Sequence, residues 1–222
     1  MTGLKKEAVA ILLAAGDGSR LGGDKMFVDL GGKPLIERTL RPYRKARCVE
    51  DIVIVVPAGE AQRFGHLRSP TCHVFENPDP SRGMISSIRV GLETGWAQER
   101  DFLIAPADVP FVKPEMIDQL VKQLVIRDAK IVLPAYRGLG GHPGVFHRSL
   151  HNDFFLLGET SGTREILFRY REGTVRMNLH DPDVCFDIDT AEHLAMALDP
   201  GARWARVEQM VEQKRLGQIT KF

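Results

Sequence analysis

Long apolar runs are missing from this chain. Nothing in it approaches the ~20 consecutive apolar residues that cross a bilayer, so no membrane partner is expected. Cysteine is scarce. Cys48, Cys72 and Cys185 lie far apart with no C-x-x-C pair, which argues against a disulfide scaffold or a zinc site and for reduced thiols in a cytoplasmic protein. An excess of either charge is also absent: 30 Lys and Arg against 29 Asp and Glu leave a formal charge of +1. A nucleic-acid partner usually demands a basic stripe, and none is expected here. There is no Ser/Gly linker, internal repeat or low-complexity stretch. The 222 residues therefore read as one domain, with a core over 8–198 and a helical tail over 201–222. Lys5 and Lys6 before Ala8 to Ala15 imitate a signal peptide, but the apolar run is too short and Glu7 sits at the junction. A buried first strand is the better reading.

What the chain does have is alternation. Short β-branched runs at Val9 to Leu13, Ile52 to Val56, Phe102 to Ala105, Ile131 to Leu133 and Val184 to Ile188 read as strands. Helical patterns separate them at Leu35 to Arg44, Ile85 to Glu93, Pro114 to Val125 and Thr190 to Leu198. Continuous apolar strands between helices predict an α/β three-layer domain around a mostly parallel, mixed sheet covered on both faces. Its ligand belongs beyond the carboxyl ends of the strands, where such sheets open. Pro34 and Pro114 mark helix starts, and Thr190 is a candidate N-cap.

The first strand runs into "AILLAAGDGSRLGGDK", residues 10–25, where apolar chain gives way to glycines, an arginine and a lysine. Two phosphate loops fail here. The dinucleotide fingerprint G-x-G-x-x-G would need glycine at Leu21, and the second strand ends in Val56-Pro57 without an acid for a ribose. The Walker pattern fails because Asp24 and then Lys25-Met26 follow Gly23. What remains is a glycine loop whose amides, with Arg20 and Lys25, suit the charges of a nucleoside triphosphate. A glycine turn with two solvated cations explains the loop equally well when it is taken alone.

"LLAAGDGSRLGGDK" resembles the L-A-A-G-x-x-x-R-x-G-x-x-K signature of the MobA-like nucleotidyltransferases. "NPDPSRGMISSIRVGL", "APADVP", "GGHPGVF" and "FDIDTAEHL" follow in that family's order, and the set is most similar to its molybdenum-cofactor cytidylyltransferase branch. The resemblance spans residues 8 to about 198 and implies a Rossmann-like nucleotidyltransferase fold. It implies that Arg20, Lys25 and Asp108 are catalytic, and that Leu13, Ala14, Ala15 and Gly16 line base and triphosphate. Gly83, Ser86 and Ser87 would contact base and ribose, although an N-cap serine would explain either hydroxyl alone. Guanylyl-transferring relatives carry a second glycine where Ala15 stands, which leans this chain toward CTP.

Asp108 follows the apolar strand "FLIAPAD" and would anchor Mg²⁺, with Mn²⁺ as a substitute; a helix-capping aspartate is the plainer alternative. Asp187 and Asp189 would share one strand face, Asp187 completing the metal site and Asp189 capping the next helix. His142, Pro143 and Arg164 would hold the acceptor, with Ser161 capping the helix that bears Arg164. The family usually places arginine before the glycine of its R-G-H-P motif, and Gly140 stands there. His147 and His151 have the spacing of helix metal ligands but lack the adjacent glutamate, so an exposed helix face is expected.

The implied reaction is attack of an acceptor phosphate on the α-phosphorus of CTP, with release of pyrophosphate. The implied acceptor is molybdopterin or the molybdenum cofactor, and the implied client is a molybdenum hydroxylase. A sugar- or polyol-phosphate acceptor, guanylyl transfer, and a non-catalytic nucleotide-binding assembly partner stay open as alternatives. The tail places Trp204, Val207 and Val211 on one stripe with Met210 beside it, to dock on the domain or to meet a partner.

Overall fold

The computed structural model describes residues 8–16, 24–158 and 162–218. β1 (Ala8–Leu13) is the centre of the sheet. It pairs in parallel with β2 (Val49–Pro57) on one side and β4 (Asp101–Pro106) on the other. β3 (Cys72–Asn77) extends the parallel run beyond β2. Past β4 the direction mixes: β7 (Gly144–Phe146) is antiparallel to both β4 and β5 (Ile131–Tyr136). The short β6 (Leu139–Gly140) pairs antiparallel with β5, and β8 (Thr174–Asn178) pairs parallel with it. The order is β3-β2-β1-β4-β7-β5-β6, with β8 on β5.

Alternate residues of β1 enter two different cores, as a period of two requires. Ala8, Ala10 and Leu12 pack under α1 (Leu35–Lys45), α3 (Pro114–Ile126) and α6 (Pro200–Arg215). Val9 and Ile11 pack under α2 (Met84–Glu93) and α4 (Thr163–Arg169). Both faces are therefore covered, which is why the strand is apolar at every position. Pro34 sits one residue ahead of α1, Pro114 opens α3, and the Thr190 side chain caps α5 (Ala191–Met196) by accepting from His193 N.

One expected strand is absent. Val184, Cys185, Phe186 and Ile188 are buried, yet Pro182–Cys185 forms a 3-10 turn and the chain beyond it joins no ladder. Its backbone is satisfied by loops instead: Val184 O accepts from His142 N, and Ile188 N donates to Asp108 O at 3.0 Å. An apolar run signals burial, and burial here comes from crossing the end of the sheet rather than joining it. The sequence reading passed over β3, β6, β7 and β8, which are half-exposed, glycine-bearing or very short.

His147 and His151 do not share a helix. His147 caps the 3-10 turn Arg148–Leu150, and His151 Nε2 lies 3.1 Å from Leu92 O. The tail helix α6 packs against the 182–185 turn, α5 and β6. Its buried residues are Arg203, Val207 and Met210, while Trp204 is half-exposed. No described helix is long and apolar enough to cross a membrane.

Candidate active site at the carboxyl edge of the sheet

The parallel run β3-β2-β1-β4 brings four strand ends to one edge. β1 hands over to Ala14, Ala15 and Gly16 there, and Ala14 N donates to Val55 O at 2.8 Å. β4 hands over to Ala107 and Asp108, and Ala107 N donates to Leu13 O at 3.0 Å. These bonds prolong the ladder by one residue on each side and fix where Asp108 begins.

Lys25 opens a 3-10 turn, Lys25–Phe27, just beyond the glycine loop. Its Nζ lies 2.6 Å from Asp108 Oδ2 and 2.6 Å from Asp189 Oδ1, which draws in residues 83 and 164 positions away. Burial pulls the lysine pKa down, but Asp108 and Asp189 outweigh it and hold the ammonium above its ordinary range. Asp108 is displaced upward: burial dominates, Lys25 opposes it, and the nearby charges of Asp187 and Asp189 add to the rise. Both acids therefore stand close enough to Asp108 to act on it.

Asp189 departs from its expected role. Thr190 caps α5 with its own hydroxyl, and the Asp189 carboxylate goes to Lys25. The sequence left the two acids hard to separate, because spacing gives a shared face only on a strand and this segment is not one.

A hard cation fits the donor set. Asp108 Oδ1 is buried with no hydrogen-bond partner among the described residues, and the carboxylates of Asp187 and Asp189 act on the same group. No cluster of three or more His, Cys, Asp or Glu positioned for a metal occurs among the described residues. Mg²⁺ asks for less, since one or two carboxylates suffice when phosphate oxygens complete the shell.

Asp108 faces a cleft of about 610 Å³, lined also by Leu13, Ala15, Gly16, Gly83, Met84 and Ser87 among others. Gly83 precedes α2 with φ of 83° and ψ of −177°, a conformation open to glycine almost alone. Ser87 lines the cleft, but Ser86 does not: its Oγ donates to Gly83 O at 2.7 Å. Ala14 is buried beside it and lines a smaller neighbouring hollow with Lys25.

A second, mainly apolar pocket is lined by Leu133, Gly141, His142, Phe146, Thr163 and Leu167, and shares Leu13, Met84 and Pro106 with the cleft. His142 is therefore brought to the site, whereas Pro143 is buried behind it. Arg164 is exposed on the first turn of α4, whose N-cap is Gly162. Arg20 and Ser161 lie outside the described residues.

Asn77 was missed by the sequence reading. It is 2% exposed at the end of β3, and its amide donates to Ser86 Oγ at 2.8 Å and Ser87 Oγ at 2.9 Å. The only sequence signal was a polar residue closing a strand.

Comparison with known proteins gives the family and the fold. The family model of the MobA-like NTP transferase domain matches residues 10–174. A molybdenum cofactor guanylyltransferase of Cereibacter sphaeroides is 30% identical over 191 residues, 84% of this chain and 93% of its own. A 2-C-methyl-D-erythritol 4-phosphate cytidylyltransferase of Geobacillus kaustophilus is 38% identical over 133 residues, 58% of this chain and 57% of its own. The crystal structure of Rv0371c from Mycobacterium tuberculosis H37Rv, in complex with manganese, superposes with a TM-score of 0.66 at 19% identity, covering 87% of this chain and 98% of that one. The chain belongs to the MobA-like NTP transferase family and has its Rossmann-like nucleotidyltransferase fold.

Proposed function

We propose that this nucleotidyltransferase moves CMP from CTP onto the phosphate of molybdopterin or its molybdenum-loaded form, releasing pyrophosphate. The observation that carries the reading is the Lys25–Asp108–Asp189 cluster, whose Asp108 lines the cleft and whose Lys25 lines the neighbouring hollow. It offers one cation, and a carboxylate oxygen with no partner among the described residues, where a triphosphate would enter.

An acceptor phosphate oxygen attacks the α-phosphorus, a new P–O bond forms, and the bond to the β-phosphate oxygen breaks. Pyrophosphate leaves with that electron pair. A phosphate monoester with second pKa about 6 is largely ionised at neutral pH, so no strong general base is needed. The site needs to align and to neutralise. Lys25 would hold the α-phosphate charge, with Arg20 assisting, and the backbone of Ala14 to Gly16 would line the triphosphate. Asp108 and Asp187 would hold Mg²⁺ or Mn²⁺, which supplies further charge neutralisation when bound. His142 and Arg164 would receive the acceptor beside the apolar pocket, which adjoins the cleft through Met84.

CTP is favoured by Ala15. Its methyl lines the cleft where guanylyl-transferring members of the family have hydrogen, and a smaller pyrimidine tolerates that filling. The name of the Cereibacter relative supports GTP instead, and the same assay decides between them. Pyrophosphate release is measured with four NTPs against molybdopterin, a sugar phosphate and a polyol phosphate. Release with CTP and molybdopterin is the expected result. Release with GTP reassigns the base, release with a sugar or polyol phosphate reassigns the acceptor, and NTP binding without release removes the catalytic reading.

A further inference from the structure

The orientation of Asn77 is determined by its surroundings. Its Oδ1 accepts from Asp79 N at 3.0 Å, and a backbone N–H can only donate. The Nδ2 group is thereby turned to the two serines and delivers one hydrogen to each. A serine hydroxyl has a single hydrogen of its own. Ser86 gives that hydrogen to Gly83 O and is complete. Ser87 receives from Asn77 in the same way, yet no described residue accepts its hydrogen, and it lines the cleft.

We propose that Asn77 is a positioning residue that fixes Ser87 as a hydrogen-bond donor into the cleft, so that the nucleotide atom meeting Ser87 is an acceptor. This rests on the reading of the cleft as the NTP site. The chemical class follows: a carbonyl oxygen, an unprotonated ring nitrogen or a ribose oxygen is accepted there. An N–H at that point would meet only the hydroxyl's second lone pair and leave the Ser87 hydrogen unsatisfied. Asn77 fills one of the two lone pairs of Ser87 and turns the hydroxyl hydrogen away from itself, so that hydrogen is satisfied only by an acceptor in the cleft. The two serines, alike in sequence, thus have different duties: Ser86 closes the start of α2, and Ser87 reads the ligand.

A double-mutant cycle tests this. Mg²⁺-CTP affinity and thermal stability are measured for the wild type, Ser87→Ala, Asn77→Asp and the double variant. Ser87→Ala is expected to weaken binding by up to about tenfold, the size of one neutral hydrogen bond. Asn77→Asp accepts where the amide donated, turns the Ser87 hydrogen inward and sets lone pair against lone pair, so its loss should exceed that of Ser87→Ala. In the Ser87→Ala background the same change should cost at least fivefold less. Any charge effect on the triphosphate is common to both backgrounds and cancels. If Asn77→Asp does not fold, Asn77→Ala, which frees the hydroxyl to rotate, replaces it in the same cycle with a smaller coupling of the same sign. Additive losses would show Asn77 to be merely structural and overturn the inference while leaving the nucleotide site standing. Absence of NTP binding by the wild type overturns the site reading, and the inference falls with it.

Discussion

Lys25 carries two loads at the residue scale. It is the cation offered to a phosphate, and it is the counter-charge of two acids, one of them largely buried. Lys25→Ala should therefore lower turnover at least a hundredfold, matching the ~3–4 kcal/mol that such an electrostatic contact contributes to a transition state. It should also lower the melting temperature, because Asp108 and Asp189 then face each other with no ammonium between them. Mg²⁺ should raise the melting temperature of Lys25→Ala more than that of the wild type, since in the variant the metal restores positive charge where the ammonium was lost. Calorimetry with and without Mg²⁺ checks this, and an equal rise in both proteins would separate the lysine from the metal site. Asp108 was legible in the sequence because it follows an apolar strand at its carboxyl end, and Lys25 because it closes the glycine loop. The partner of Lys25 was not, since it comes from a segment whose burial imitates a strand.

Single contacts decide tolerance at the scale of elements. α2 lies on β1 through Gly91: a Cβ there would stand 2.5 Å from Ile11 Cγ2, a stiff β-branched methyl. Gly91→Ala should lose about 1–3 kcal/mol by overpacking, against a helix-propensity gain of at most ~1 kcal/mol. Denaturant unfolding should show a net loss, and a net gain would mean that α2 moves away freely. α6 is anchored by Arg203, whose Nε and Nη2 donate to Asp183 at 3.0 and 2.9 Å while its guanidinium stacks 3.9 Å from the Phe111 ring centroid. Both partners are buried, so Arg203→Ala leaves an unpaired carboxylate and should cost roughly 3–5 kcal/mol. Truncation after Pro200 should then lower the melting temperature by several degrees as a monomer, through loss of Arg203, Val207 and Met210. Full stability after truncation would contradict the docking. Of the stripe read from the sequence, Val207 is buried, Val211 packs partly buried against the core and Met210 beside them is buried. Trp204 stays exposed, because apolar spacing could not show that an arginine takes the buried place.

On the scale of the whole molecule, four parallel strands end at one edge, and the chain returns there from residues 25, 108 and 189. The strand-helix alternation made that edge visible in the sequence, and β1 shows why: its residues serve two cores in turn. The mixed half of the sheet was hidden, since β6 and β7 are two and three residues long and rich in glycine. For base choice the sequence offers Ala15, on which the CTP reading rests, but not the hydroxyl directions of Ser86 and Ser87, which no periodicity records. The central claim is transfer at the α-phosphorus. Its most direct test incubates the protein with molybdopterin and CTP labelled in parallel at the α- and γ-phosphates, and follows both labels. The account predicts that the α-label joins the acceptor while the γ-label leaves in pyrophosphate. A γ-label in inorganic phosphate or on the acceptor, with the α-label left in a free nucleotide, would contradict it.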